Sequence, residues 1–134
     1  MRLHHIAYVC NDIESKFVSL NRLFGCRKIV GPVVDEVQKV RIIFLDTGGS
    51  VPLELLEPLT SDSPVIEHLK KGGGLYHLCF EVNDLDKALE GLQRDGEAML
   101  VKAPAAAPAI DGRRVAFVVT LDKDLVELVE AENK

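Results

Sequence analysis

Residues 4–10 form a short apolar, β-rich run opened by two histidines, and strand alternation would put His5, Ala7 and Val9 on one face and His4, Ile6 and Tyr8 on the other. The period then changes. After Asp12 the apolar positions Ile13, Phe17, Leu20 and Leu23 recur at helical spacing until Gly25. A half-buried strand is therefore predicted to lead into an amphipathic helix, with Asp12 as its N-cap and Gly25 as its stop. Strand-like runs come next at residues 26–34, 40–47 and 51–56, the last two joined by a turn at Gly48-Gly49-Ser50.

The same succession then returns. A strand at 75–82 meets Asp84 as N-cap, Leu85, Ala88, Leu89 and Leu92 mark a second helix that stops at Gly96, and strands at 99–102, 113–120 and 124–129 complete the half. The predicted order is βαβββ twice. Between the halves, Pro58, Ser61-Asp62-Ser63-Pro64 and Gly72-Gly73-Gly74 enclose a short helix at 65–71, and the glycine triplet reads as a flexible hinge. Residues 103–111 (APAAAPAID) are small and proline-rich, which predicts a loop over the sheet edge.

The echo extends to individual residues. His5-Ile6-Ala7-Tyr8-Val9-Cys10-Asn11-Asp12-Ile13 matches His77-Leu78-Cys79-Phe80-Glu81-Val82-Asn83-Asp84-Leu85 at an offset of 72. Arg41-Ile42-Ile43-Phe44 matches Arg114-Val115-Ala116-Phe117 at an offset of 73, and Leu53-Glu54-Leu55 matches Val126-Glu127-Leu128 at that same offset. The expected organisation is a single domain, 1–134, made of module one (1–58), a linker (59–74) and module two (75–131). Modules of roughly 60 residues are too small to be comfortably stable alone, so their pairing would make the core.

Composition narrows the class. Of 134 residues, 47% are hydrophobic and 28% charged, enough to bury a core. The formal net charge of -5 lacks the basic excess that nucleic-acid binding relies on, so no nucleic-acid partner is expected. No apolar run approaches a membrane span and the N-terminal residues do not read as a signal peptide, which predicts a cytoplasmic protein with no membrane partner. Three cysteines, Cys10, Cys26 and Cys79, are odd in number and far apart, and read as buried hydrophobes rather than a disulfide framework.

The repeat also carries the candidate chemistry. It places His5 and His77 in the first strands of the two halves and Glu54 and Glu127 in the last strands. A carboxylate between Leu53 and Leu55, or between Val126 and Leu128, needs a cation, a metal or water, because burying an unpaired charge is costly. Two imidazoles and two carboxylates suit one divalent ion, zinc, nickel, cobalt or manganese, with room for water or a substrate oxygen. Glu57 and Glu130 recur as well and read as solvated, as does His68 on the linker helix.

With these features the sequence resembles the vicinal oxygen chelate superfamily, which includes glyoxalase I, methylmalonyl-CoA epimerases, extradiol dioxygenases and bleomycin-resistance proteins. The resemblance implies an α+β fold in which tandem βαβββ modules form a cupped mixed sheet, with a divalent metal held by His5, Glu54, His77 and Glu127. The stretches Leu53-Glu54-Leu55-Leu56-Glu57-Pro58-Leu59, Asp62-Ser63-Pro64, His68-Leu69-Lys70-Lys71-Gly72-Gly73-Gly74 and Tyr76-His77-Leu78 resemble the epimerases most. The resemblance further implies a metal-dependent isomerase or lyase that removes a proton next to a carbonyl through a metal-stabilised enolate. Glu127 would be the main base and Glu54 the second, acting on a thioester, and a homodimer is expected. Two other readings stay open: glyoxalase I-type conversion of a methylglyoxal–thiol hemithioacetal, and a non-catalytic small-molecule binding or resistance protein.

Overall fold

A computed structural model of the chain describes residues 1–132. Its elements are β1 (Arg2–Val9), α1 (Ile13–Phe24), β2 (Arg27–Asp35), β3 (Val40–Asp46), β4 (Leu53–Pro58), α2 (Ile66–Lys70), β5 (Gly74–Val82), α3 (Leu85–Arg94), β6 (Ala98–Ala107), a 3-10 turn (Pro108–Ile110), β7 (Arg113–Thr120) and β8 (Leu125–Glu130). This is the expected tandem βαβββ order of an α+β fold. The strands of one half take the hydrogen-bonded order β2-β3-β4-β1 and those of the other β5-β8-β7-β6, both mixed in direction. Contacts divide the chain into two compact units: His5–Tyr76, and Met1–His4 with the chain from His77 onward.

In the His5–Tyr76 unit, β1 runs parallel to β4, and β4, β3 and β2 pair antiparallel in turn. Asp12 caps α1 by accepting from the backbone N–H groups of Glu14 and Ser15, and Gly25 closes the helix at φ 73°. Ile13, Phe17 and Leu20 pack on the sheet face formed by Tyr8, Cys10, Ile43, Leu45, Leu53 and Leu55. Leu23, expected on this face, is exposed. One face of the sheet is thus taken up by the helix, and His5, Ala7 and Val9 project from the other.

The second unit repeats the plan. Here β5 runs parallel to β8, and β7 and β6 come next, antiparallel. Asp84 caps α3 through the Lys87 N–H, and Leu85, Ala88, Leu89 and Leu92 pack against Phe80, Val82, Ala116, Val118, Val126 and Leu128. His77 and Cys79 lie on the opposite face by strand alternation.

Two expectations are corrected. The segment 103–111 is not a loop: β6 continues to Ala107, and Ala105, Ala106 and Ala107 pair with Val115, Arg114 and Arg113. Pro104 falls at the register shift between Lys102 and Ala105 of an edge strand, where a missing N–H removes no ladder bond. Pro32 sits at the equivalent shift, between Val30 and Val33, in the other edge strand. Nor is the glycine triplet a hinge. The Gly72 and Gly73 N–H groups donate to the carbonyls of Leu69 and His68, both at 3.0 Å, closing α2 in a fixed turn. Gly73 has φ 68°, and a Cβ there would stand 2.7 Å from the Val9 carbonyl oxygen, so only glycine lets the turn lie this close to β1.

Candidate metal centre

Each unit builds one histidine–carboxylate pair from the same parts. In β1 and β4, Ala7 is the partner of Glu54, and His5 stands two residues back on the same face as Ala7. The His5 Nε2 and a Glu54 carboxylate oxygen are 3.3 Å apart. In β5 and β8, Cys79 partners Glu127, His77 again stands two residues back, and the corresponding distance is 3.2 Å. All four residues are buried, with relative exposures of 0% for His5, 4% for Glu54, 4% for His77 and 2% for Glu127.

A phenylalanine completes each pair. Phe44 is the cross-strand partner of Glu54 and meets the His5 ring edge-on at a centroid distance of 5.0 Å. Phe117 holds the same place opposite Glu127 and meets His77 at 5.3 Å. The T-shaped contact fixes the imidazole plane and walls it from solvent. These phenylalanines were legible as part of the repeat, since Phe44 and Phe117 match at the same offset as the two glutamates, but side-chain identity alone did not mark them as wall residues.

Within each unit the His–Glu pair offers donors at a spacing that a divalent ion accepts. Ligands bound at about 2.1 Å and separated by tetrahedral or octahedral angles stand roughly 3.0–3.4 Å from one another. The two His–Glu separations of 3.3 and 3.2 Å fall within that span. Imidazole nitrogen and carboxylate oxygen are the donors that zinc, nickel, cobalt and manganese accept.

Glu57 and Glu130 do not behave as solvated carboxylates. Glu57 accepts the Ile13 N–H at 3.0 Å, and Glu130 accepts the Leu85 N–H at 2.9 Å, so each holds the first residue of its unit's long helix. His68 is also only half exposed, its ring 5.1 Å from that of Tyr76. Burial raises the Tyr76 phenol above its ordinary value. Cys26 and Cys79 are buried and Cys10 is half-buried, all as free thiols. Burial pushes the Cys10 thiol up to about 11, which keeps it protonated and unreactive at neutral pH.

The halves differ in charge at one position of the first strand's histidine-bearing face. Where the first unit has Val9, the second has Glu81, which binds Arg113 Nη2 at 2.5 Å and Arg2 Nη2 at 2.8 Å. The Arg113 hydrogen bond, reinforced by the charge of Arg2, holds the Glu81 carboxyl below the usual carboxylate range. Arg113 Nε also donates to the Glu130 carbonyl at 2.8 Å, tying the start of β7 to the end of β8.

Among the described residues no helix is long and apolar enough to cross a membrane. The chain is 36% identical over 132 residues to the Bacillus subtilis protein YqjC, covering 96% of this chain and 91% of that one. It is 31% identical to the mitochondrial methylmalonyl-CoA epimerase of Bos taurus, covering 97% of this chain and 74% of the relative. A Streptomyces coelicolor methylmalonyl-CoA epimerase variant, solved with 2-nitronate-propionyl-CoA, superposes with a TM-score of 0.86 at 27% identity, covering 99% of both chains. The model of the Glyoxalase/Bleomycin resistance protein/Dioxygenase superfamily matches residues 4–117. A tandem βαβββ chain with a matched His–Phe–Glu set in each repeat, aligned to that model over most of its length, belongs to this superfamily.

Proposed function

We propose that the chain is a divalent-metal-dependent epimerase of a 2-methylmalonyl-CoA-like thioester, and that His5, Glu54, His77 and Glu127 together hold one ion. The observation that carries this reading is the duplication of the buried His–Glu pair at the same strand register in both repeats. The aromatic wall recurs with the pair, Phe44 against His5 and Phe117 against His77. The epimerase relatives supply the substrate class.

A bound divalent ion would act as a Lewis acid toward the thioester carbonyl, lowering the cost of removing the neighbouring proton. His5 and His77 serve as fixed ligands, oriented by the Phe44 and Phe117 rings. Glu127 would take the α-proton, and Glu54, from the other repeat and protonated from solvent, would give its proton to the opposite face of that carbon, inverting its configuration, after which Glu127 returns its proton to solvent. β3 (Val40–Asp46) carries no carboxylate from Val40 to Leu45, so within that segment no third acid competes for the role. Phe44, Phe117 and the apolar neighbours of the two strands exclude bulk water, which strengthens the electrostatic stabilisation of the carbanionic transition state.

The test is proton–deuterium exchange at the α-carbon of methylmalonyl-CoA by zinc-, cobalt-, nickel- and manganese-loaded protein, monitored by NMR, with metal content measured on the same samples. Exchange above the buffer rate supports the reading. Thioester formation from a methylglyoxal hemithioacetal without α-exchange would replace it with a glyoxalase I-type lyase. Protein that takes up no metal would be the non-catalytic binder.

A further inference from the structure

Glu57 and Glu130 stand three residues beyond Glu54 and Glu127, and the structure gives both the same unexpected partner. In the first unit the Glu57 carboxylate accepts the N–H of Ile13, the first residue of α1, across 44 positions of sequence. In the second, Glu130 accepts from Leu85, the first residue of α3, across 45 positions. These bonds satisfy first-turn donors that the local caps leave open. Asp12 already accepts from Glu14 and Ser15, and Asp84 from Lys87.

The bond has a mechanical consequence for the histidine strand. Only a short connection separates the end of β1 at Val9 from the start of α1 at Ile13, so holding Ile13 holds the end of β1, while Glu57 belongs to β4. The β1–β4 pair is parallel and short, with four matched positions from Ile6↔Leu53 to Val9↔Leu56. Parallel pairs are slightly less stable per residue than antiparallel ones, so a tie just beyond a four-rung ladder adds to what holds its register. Beyond the ladder, the Cys10 N–H donates to the Leu56 carbonyl at 2.9 Å, and the Glu57–Ile13 bond extends the same tie by one more step. In the second unit the Ala131 N–H donates to the Val82 carbonyl at 2.8 Å, and Glu130–Leu85 plays the corresponding part.

We propose that Glu57 and Glu130 are positioning residues that lock the register of each histidine strand against its carboxylate strand, and so set the His5–Glu54 and His77–Glu127 spacings for metal binding. The proposal rests on the metal-binding reading above. It accounts for two recurring carboxylates that each reach a helix start on a distant segment of the chain, and it places their effect on metal affinity rather than on the proton transfer.

Isothermal titration of zinc into the metal-free full-length chain tests it, read beside urea unfolding of the same proteins. Glu57→Ala is expected to weaken zinc binding about tenfold, the size typical of a group that orients a metal ligand. Glu57→Gln keeps an acceptor oxygen and is expected to stay within about threefold of wild type. Asp12→Ala removes the local cap of the same helix and is expected to leave zinc affinity within that same threefold span. Should Glu57→Ala fail to fold, Glu130→Ala carries the identical test in the second repeat. Wild type that binds zinc while Glu57→Ala and Glu130→Ala bind equally tightly would overturn the positioning role alone. Asp12→Ala weakening zinc as much as Glu57→Ala would also overturn it, by showing that general helix stability is what matters. Wild type that binds no zinc, nickel, cobalt or manganese would instead remove the metal-binding reading beneath it.

Discussion

Replacing Gly73 by alanine probes how closely the turn after α2 is pressed onto the strand that carries His5. The added Cβ would stand 2.7 Å from the Val9 carbonyl oxygen and 3.5 Å from Leu69 Cδ1. The leucine end can move, but the Val9 oxygen is backbone of β1 and cannot withdraw without disturbing the parallel β1–β4 ladder. Two costs add. The left-handed backbone, φ 68°, costs alanine about 1–2 kcal/mol, partly offset by the lower entropy of the unfolded alanine chain. The forced contact adds the cost of overpacking, about 1–3 kcal/mol. Gly25 separates the two, because its φ is 73° and nothing lies within 4 Å of a Cβ built on it. Gly25→Ala should therefore cost about 1 kcal/mol and Gly73→Ala about 2–4 kcal/mol. Urea unfolding monitored by circular dichroism measures both, and the larger cost should lower the midpoint by roughly 1–2 M. Equal losses for the two variants would refute the reasoning, since they would mean that the turn yields and the close approach to β1 is not enforced.

Glu127→Gln is expected to keep bound metal, because the amide oxygen still ligates, while α-proton exchange falls about 10²–10⁴-fold; exchange at the wild-type rate would remove Glu127 as the base. Zinc at about 100 times its dissociation constant should stabilise the protein by roughly 2.7 kcal/mol in thermal unfolding, and His5→Ala or His77→Ala should each abolish most of that gain. The Glu81–Arg113 pair predicts a pH dependence. The folded Glu81 carboxyl is held low by Arg113, so its contribution is full above the unfolded carboxylate value and disappears as pH falls through the lowered folded value. The stability difference between wild type and Arg113→Met should accordingly shrink as the pH is lowered through and below the usual carboxylate range, leaving only the part due to the Arg113 Nε bond to the Glu130 carbonyl. A difference that stays constant down to strongly acidic pH would show that the ion pair does not contribute.

The order of elements and both helix caps were legible because they are local. Asp12 and Asp84 precede apolar positions at helical spacing, and the residues that cap and terminate α1 lie directly at its ends. The candidate site residues were legible for a different reason: a chain that repeats itself reveals which polar residues have been kept in register, and His5, Glu54, His77 and Glu127 were found that way. Length and extent of β6 were not. Small residues and two prolines read as loop, and only the partner strand β7, together with the edge location of Pro104, makes an extended ladder possible there. Glu57 and Glu130 recurred as plainly as the ligand candidates, yet strand alternation could not show that a helix N-terminus distant in sequence would meet them.

Periodicity and repetition are properties of the chain, and they suffice to establish the duplicated plan, the faces of the strands and the identity of the paired histidines and glutamates. What each of those residues touches is a property of the folded molecule. The imidazole–carboxylate distances, the phenylalanine against each ring, the glycine turn seated on β1 and the carboxylates that hold the helix starts all join positions far apart in sequence. Their separations are set by sheet register and helix packing, which no local pattern encodes.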